Sequence, residues 1–424
     1  MEERVRVYQA IPSLERAFDI AKDAKAIAFR TSEEGLVLFN YLFSDQQLWT
    51  QVPESRNLRG IVYEQTSGRV VSLPFHKFFN PGEPASPDVS KYDFGKSLVS
   101  KKHDGYLLQT FVYRGKVYTI SRHSFKAPLV QTVLQGLWDK RHERFVLQVS
   151  EEYPQGITLL WEVIHPLYPV LELPEKPSLV LLAARMTDTG DYLFPVIEGE
   201  SDPPFEVKTL SVPSSFLSDG ITEVARWLPV SSLFENYSSW NDIKQQVKSI
   251  HRSEGYVIAL FTQEGSEFVF DDFVKAKTPW AFKASLLFAN PGDTLVRSVV
   301  EDKVDDLVYA VLKDDPRLQA FSRAHRTLLN HIYLAYDFGL GLSQKQVEAK
   351  DAYQAAVSWS QPYGKYHPEL PSVFTPLIMK AYRGASFEEV WENFKKLMEN
   401  KKKLVAVSSW IELTHQLHYV EPDG

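Results

Sequence analysis

The stretch LVSKKHDGYL, Leu98 to Leu107, brings an apolar approach up to Lys102, then His103, Asp104 and Gly105, and turns apolar again at Tyr106. A lysine caught between buried segments is costly to keep charged, because desolvation disfavours the ammonium form. In such a setting a lysine amine serves as a nucleophile. Gly105 admits backbone geometry that other residues resist, and Asp104 can orient the amine or accept a turn hydrogen bond. Taken alone, the same four residues also read as a hairpin entry with Lys101 and Lys102 at the surface, since short patterns recur by chance.

Further charges interrupt apolar, strand-like runs at Arg59, Lys77, Glu162, Lys275 and Lys277. An ion buried without a partner costs several kcal/mol, so each needs a reason. Lys275 and Lys277 alternate by two, which puts both amines on one face of a strand. Like charges on one face repel unless an anion sits between them, and a phosphate is the obvious candidate; an exposed strand face is the other reading. Glu162, in the middle of LLWEVI, reads equally as a structural ion pair and as a site. The histidines show no regular ligand spacing and are assigned no zinc.

The elements that must position these groups change character along the chain. Ser13 to Ala28 repeats apolar positions at helical spacing, with Ser13 as cap. Strand patterns follow at 35–43, 58–64 and 69–73, and a hairpin is expected from Leu107–Tyr113 and Lys116–Ser121 around Arg114-Gly115. A helix is expected over Pro128–Trp138, then strands at 158–164, 179–184 and 255–270. Beyond Ser285–Pro291 helical periodicity takes over, at 317–334, 347–359 and 373–382. Ser386 and Glu389 make a capping box that opens a helix through Met398, with Lys395, Lys396 and Lys401–Lys403 at its end. The fold class read from this is α+β: a mixed domain with antiparallel sheets, residues 1–290, followed by an all-α C-terminal domain, residues 291–424.

Composition narrows the classes. The chain has 424 residues, 44% of them hydrophobic and 24% charged, as in a soluble globular protein of two domains. With no cysteine, disulfides, thiolate zinc sites and cysteine nucleophiles are excluded. A net charge of −7 argues against a protein that coats nucleic acid, yet leaves room for a local basic groove. No apolar run approaches the roughly 20 residues of a membrane span, and MEERVRVYQA lacks a signal peptide's apolar core. An intracellular protein is expected, acting away from membranes.

Lys102-His103-Asp104-Gly105 resembles motif I of the covalent nucleotidyltransferases, the superfamily of ATP-dependent DNA and RNA ligases and mRNA capping enzymes. The other pieces come in that family's order: Glu162 in LLWEVIHP resembles motif III, Leu181–Arg185 motif IIIa, Glu254-Gly255-Tyr256-Val257 motif IV and Lys275-Ala276-Lys277 motif V. Ser121-Arg122-His123 matches the segment after motif I. Upstream, Arg59-Gly60-Ile61-Val62-Tyr63-Glu64 and Lys77-Phe78-Phe79-Asn80 resemble the signature of the RNA ligase 1 family, the bacteriophage tRNA-repair type, and thermophilic-phage members in particular. The likeness covers roughly residues 36–310 well and the helical end more loosely.

That resemblance implies an RNA ligase using ATP and Mg²⁺, with Mn²⁺ as a substitute. Lys102 would be the catalytic nucleophile that takes AMP from ATP. Tyr41, Arg59, Lys77, Glu162, Lys275 and Lys277 would complete the ATP-binding set, Glu162 on the ribose and Lys275 and Lys277 on the α-phosphate. Glu254 would hold the metal, and Asp305 and Asp306 fall where the phage family places a second metal. Two adjacent acids at a helix start also read as a cap and a dipole-complementing charge. Arg323, His325 and Arg326 read as a solvated helix face. The partner implied is single-stranded RNA or nicked tRNA with a 5′-phosphate and a 3′-hydroxyl, the protein acting as a monomer in the cytoplasm, the host's if phage-encoded. Alternatives are a DNA ligase or capping enzyme, which usually append a β-barrel after motif V, and an adenylation fold that only binds nucleic acid. The segment from Glu254 to Lys275 is longer than in the phage tRNA-repair type, so an extended hairpin is expected there. Ala281 stands where that type has a second aromatic residue.

Overall fold

Branched and aromatic residues dominate up to Lys277, and they fold into three largely antiparallel sheets. The computed structural model describes residues 6–43, 45–126, 128–167, 170–172, 174–200, 207–301, 304, 308, 311–312, 315, 317–415 and 417. The chain divides into two compact units, Met1–Ala281 and Phe282–Gly424.

In the first unit, β1 (Ile27–Thr31), β2 (Leu36–Tyr41), β3 (Ile61–Glu64) and β4 (Val70–Ser72) form a sheet in chain order. Next along the chain come β5 (Leu98–Lys101), β6 (Tyr106–Tyr113), β7 (Lys116–Ser121), β8 (Ile157–Ile164), β9 (Ser178–Met186), β10 (Tyr192–Ile197) and β11 (Thr209–Val212). They are followed by β12 (Thr222–Val224), β13 (Leu228–Pro229), β14 (Gly255–Glu264) and β15 (Glu267–Lys277). The second sheet has the order β11-β10-β9-β8-β6-β7 with β12 beside β9, and the third the order β13-β5-β14-β15. The β6–β7 turn is left-handed at both Arg114 (φ 51°) and Gly115 (φ 73°), the two-residue turn whose twist suits a hairpin.

Helices cover these sheets: α1 (Leu14–Asp23), α2 (Gln46–Gln51), α3 (Pro128–Leu134), α4 (Lys140–Glu152) and α5 (Trp240–Lys248). The expected helix to Trp138 stops at Leu134, because Gly136 takes φ 80° and turns the chain. Along β8 the faces separate by the period of two. Leu159, Trp161 and Val163 pack with Phe145, Val146 and Val149 of α4. Leu160 instead packs with Leu98, Ala259 and Phe273 of the third sheet. Glu162 follows Leu160 by two and so shares the face that looks at the third sheet. On β15, Val274 and Ala276 pack beneath Ile243 and Val247 of α5, which leaves Lys275 and Lys277 to the opposite face with Phe273. The two sheets thus enclose an apolar core whose open end carries charge.

Among the described residues of the second unit the regular structure is all helical. After α6 (Pro279–Ala289) come α7 (Pro291–Val300), α8 (Arg317–Gln344), α9 (Ala349–Ser360), α10 (Pro371–Tyr382), α11 (Phe387–Met398) and α12 (Lys401–His415). Phe321, Ala324, Leu328, Ile332, Ala335 and Gly339 form the buried stripe of α8. Gly339 meets the Ile378 carbonyl of α10 so closely that a Cβ there would overlap it. Arg323 and Arg326 are exposed. The Ser386–Glu389 capping box forms, but Lys401–Lys403 open α12 rather than close α11. Asn400 causes the restart: its side chain accepts from the backbone N–H groups of Lys402 and Lys403.

Candidate active site

Lys102 is the first residue past β5, and its position is set by the strand next to it. Lys101 pairs with Tyr256, and the Lys102 N–H donates to the Gly255 carbonyl at 2.8 Å. Gly255 takes φ +117°, and a Cβ there would overlap the Ala276 carbonyl on β15. Three strand ends therefore converge. Lys102 Nζ lies 2.5 Å from one oxygen of Glu254, and Lys277 Nζ lies 3.1 Å from the other. Burial alone would raise the pKa of this carboxyl, yet Lys102 and Lys277 hold it below the ordinary carboxylate range.

Asp104 and Gly105 act differently from the sequence expectation. The Asp104 carboxylate makes no hydrogen bond to the Lys102 amine among the described residues; it accepts from the backbone N–H groups of Leu171 (2.5 Å) and Glu172 (2.6 Å). Glu172 in turn accepts from the Glu254 N–H at 2.6 Å and pairs with Lys101 at 3.3 Å. Burial and the nearby Glu254 push the Asp104 pKa up to about 6, against the pull of those N–H donors and Lys102. Gly105 has no left-handed backbone. It is needed for approach, since a Cβ there would strike the Val163 carbonyl on β8, beside Glu162.

Lys102 opens into a cavity of about 260 Å³ that Glu162, Lys275, Arg59 and Arg122 also line, with Phe75, Phe78 and Trp227 as apolar wall. Burial pushes Glu162 up to about 8, with Lys102 opposing and Glu254 reinforcing the shift. At neutral pH its carboxyl is thus mostly protonated, able both to donate and to accept.

Arg59 and Lys77 belong to loops, not strands. Arg59 follows a tight turn at Pro53–Asn57, and Gly60 beside it takes φ +98° against Arg122, whose Cα and Cβ a side chain there would meet at 2.8 Å. Lys77 Nζ sits over the rings of Trp49, Tyr41 and Phe79, at 4.9, 5.2 and 5.6 Å. Lys275 Nζ sits over Phe78 at 5.2 Å. Among the described residues, none of Arg59, Lys77 and Lys275 has a carboxylate within ion-pair distance. Burial lowers the pKa of Lys77, and burial together with the cations around it lowers that of Lys275 strongly. Positive charge is concentrated on this side of the cavity.

Tyr41 stands within that cationic cluster. Arg122 donates to its hydroxyl at 2.6 Å. Burial favours the neutral phenol, but Arg59, Arg122 and Lys77 overcome it and bring the pKa down to about 7. The phenol should therefore ionise about three pH units below an ordinary tyrosine. A spectrophotometric titration should show one tyrosinate appearing near neutral pH, and Tyr41→Phe should remove it; an unchanged titration in the variant would refute the assignment. Polyphosphate in the cavity would compete for the same cations, so it should push this ionisation to higher pH.

Arg122 is the contributor that sequence reasoning quoted without a role; its signal was position, directly after β7. In the Leu181–Arg185 segment, Leu182 lines the cavity while Arg185 is fully buried away from it. Arg185 donates to the carbonyls of Tyr8, Pro74 and Gly190 and to the Asn57 side chain. Asp305 and Asp306 lie outside the described residues.

A family model described as RNA ligase matches residues 57–281. The chain is 30% identical over 385 residues to RNA ligase 1 of bacteriophage TS2126, which covers 90% of this chain and 88% of that one. A solved archaeal ATP-dependent RNA ligase is a more distant likeness, at 14% identity and a TM-score of 0.40 over 74% of this chain and 76% of that one.

Proposed function

This chain belongs to the RNA ligase family, and we propose that it joins a 5′-phosphate to a 3′-hydroxyl of single-stranded RNA through an AMP adduct on Lys102. The observation that carries the assignment is the company Lys102 keeps. Its amine opens into a cavity lined also by Arg59 and Lys275, which have no carboxylate partner among the described residues.

In the first step the Lys102 amine, its proton released, attacks the α-phosphorus of ATP. An N–P bond forms, the bond to the β-phosphate oxygen breaks, and pyrophosphate leaves. In the second, an oxygen of the RNA 5′-phosphate attacks the same phosphorus, the N–P bond breaks and the amine regains a proton. In the third, a 3′-hydroxyl gives up its proton to solvent and attacks the RNA phosphorus, the bond to the AMP phosphate oxygen breaks, and AMP departs. Each step is an in-line phosphoryl transfer, in which positioning and positive charge do most of the catalysis.

On this reading each charged group has a role. Lys275 and Lys277 flank the α-phosphate, and Arg59 and Lys77 hold the phosphates that leave. Tyr41 lines the nucleotide site, and Glu162, protonated, exchanges hydrogen bonds with the ribose hydroxyls. Lys102 must give up its contact with Glu254 before attack, because its lone pair has to reach the phosphorus. As a hard oxygen donor in contact with Lys102, Glu254 fits a magnesium or manganese ion that would take its remaining ligands from phosphates and water. When bound, the metal would supply charge neutralisation on the polyphosphate.

Incubation with ATP labelled at the α-phosphate tests the reading. Label should stay on the denatured chain, and ATP labelled at the γ-phosphate should leave none. Supplying 5′-phosphorylated single-stranded RNA should then discharge the adduct and yield sealed product. A chain that takes no label would refute the enzyme reading and favour a fold that only grips nucleic acid. Discharge by nicked duplex DNA in preference to RNA would favour a DNA ligase. Among the described residues, helices and no strands follow Lys277, which argues against that outcome.

A further inference from the structure

A buried layer lies behind the cationic side of the cavity, and the chemistry above makes no use of it. Arg56, Asp272 and His76 are almost fully enclosed, with side-chain exposures of 5%, 7% and 0%. Arg56 Nη2 donates to both oxygens of Asp272, at 2.8 and 3.0 Å. Asp272 also receives His76 Nε2 at 2.7 Å, while His76 Nδ1 lies 2.8 Å from the Tyr192 hydroxyl. Burial holds the His76 pKa down at about 4 despite Asp272, so the imidazole is neutral. That network assigns the ring proton to Nε2, with Nδ1 accepting from Tyr192.

The layer is tied to the segments that present the phosphate-binding groups. Arg56 Nε donates to the Lys77 carbonyl at 2.7 Å, and the Lys77 N–H donates to the Arg56 carbonyl at 2.8 Å. Arg56 stands three residues before Arg59, and Asp272 three before Lys275 on β15. The Lys275 N–H donates to the Phe79 carbonyl at 2.9 Å, so the loop through Lys77 is fixed to β15 at its far end as well. Arg185 grips the same two segments from behind, at Asn57 and Pro74.

We propose that the buried Arg56–Asp272 pair, braced by His76, sets the spacing of Arg59 and Lys77 against the β15 strand and so positions those two cations on the outer phosphates of ATP. Stability alone is a poor reason for such a pair, since apolar side chains of similar volume do about as well. Apolar side chains cannot hold the Lys77 carbonyl. A guanidinium fork can, because its five donors point in fixed directions and reach a carbonyl and a carboxylate at once. Cations that repel one another need a rigid support to stay in place before the nucleotide arrives.

This inference rests on the ligase reading, and its test separates the two. Adduct formation from ATP engages the leaving phosphates; sealing of RNA that already carries a 5′-AMP does not. Asp272→Asn keeps shape but removes the charge, and Arg56→Lys keeps charge but removes the fork. In both, the kcat/KM for ATP in adduct formation should fall about 100-fold, mostly through KM. Sealing of pre-adenylated RNA should stay within about threefold of wild type. Parallel losses in the two reactions would make the pair merely structural, and no loss in either would leave it without a role. Failure of both variants to fold, read by circular dichroism, would likewise assign the pair to stability and overturn the proposal. A wild-type protein that forms no adduct would instead refute the ligase reading.

Discussion

Lys102→Ala is expected to abolish AMP transfer to the protein, by ~10⁴-fold or more, because removal of a covalent nucleophile leaves nothing for the phosphorus to bond. The fold should survive. The Lys102 side chain is 21% exposed at the cavity mouth, and its backbone bond to Gly255 is available to alanine. Glu254 would keep Lys277 as a partner, so no buried carboxylate is orphaned. The check is retention of α-phosphate label on the denatured variant, with circular dichroism to confirm folding. Undiminished labelling would move the nucleophile elsewhere, and Lys101, at the end of β5 and paired with Glu172, would be the first to examine.

Glu254→Ala should cost sealing about 10²–10³-fold, and Glu254→Gln nearly as much. Two effects add. On the proposed roles the metal loses a carboxylate ligand, and Lys102 and Lys277 lose the charge that keeps them together. Rates measured across a magnesium titration separate the effects: a shifted midpoint reports metal binding, and a lower plateau reports misplaced amines. Wild-type sealing in either variant would contradict the assignment. Acid stability gives a second reading. Glu254 has a folded-state pKa below its unfolded value. It therefore stabilises the fold above the unfolded pKa, and that contribution is lost as pH falls through the folded one. Glu254→Gln should accordingly lose stability near neutral pH and converge on wild type in acid.

Much of the strand framework was legible because its signals are local. Val274 and Ala276 alternate with Lys275 and Lys277, and Arg114-Gly115 is a turn that sequence alone declares. The charges at Arg59 and Lys77 were noticed but placed in strands, since apolar neighbours look the same in a strand and in a buried loop. What decides the matter is long-range: the backbone bonds of Lys77 go to Arg56, not to a ladder partner. Asp272 was illegible for a related reason. Its partners, Arg56 and His76, lie 216 and 196 residues away, and no spacing rule spans that distance. Gly105 was singled out for the wrong property, because the close approach that needs it comes from β8, formed much later in the chain. The break between α11 and α12 turned on one asparagine, whose capping role competes with its reading as an ordinary surface residue.

The pair Arg59 and Lys77 has a consequence for the direction of the reaction. On the roles proposed, the groups that seat the outer phosphates of ATP are the ones that seat pyrophosphate after it has formed. A site that holds pyrophosphate beside the lysine adduct lets the same step run in reverse, so the charged enzyme should be returned to ATP when pyrophosphate accumulates. Net sealing would then depend on how quickly that by-product is hydrolysed by its surroundings, a thermodynamic pull the protein itself does not supply.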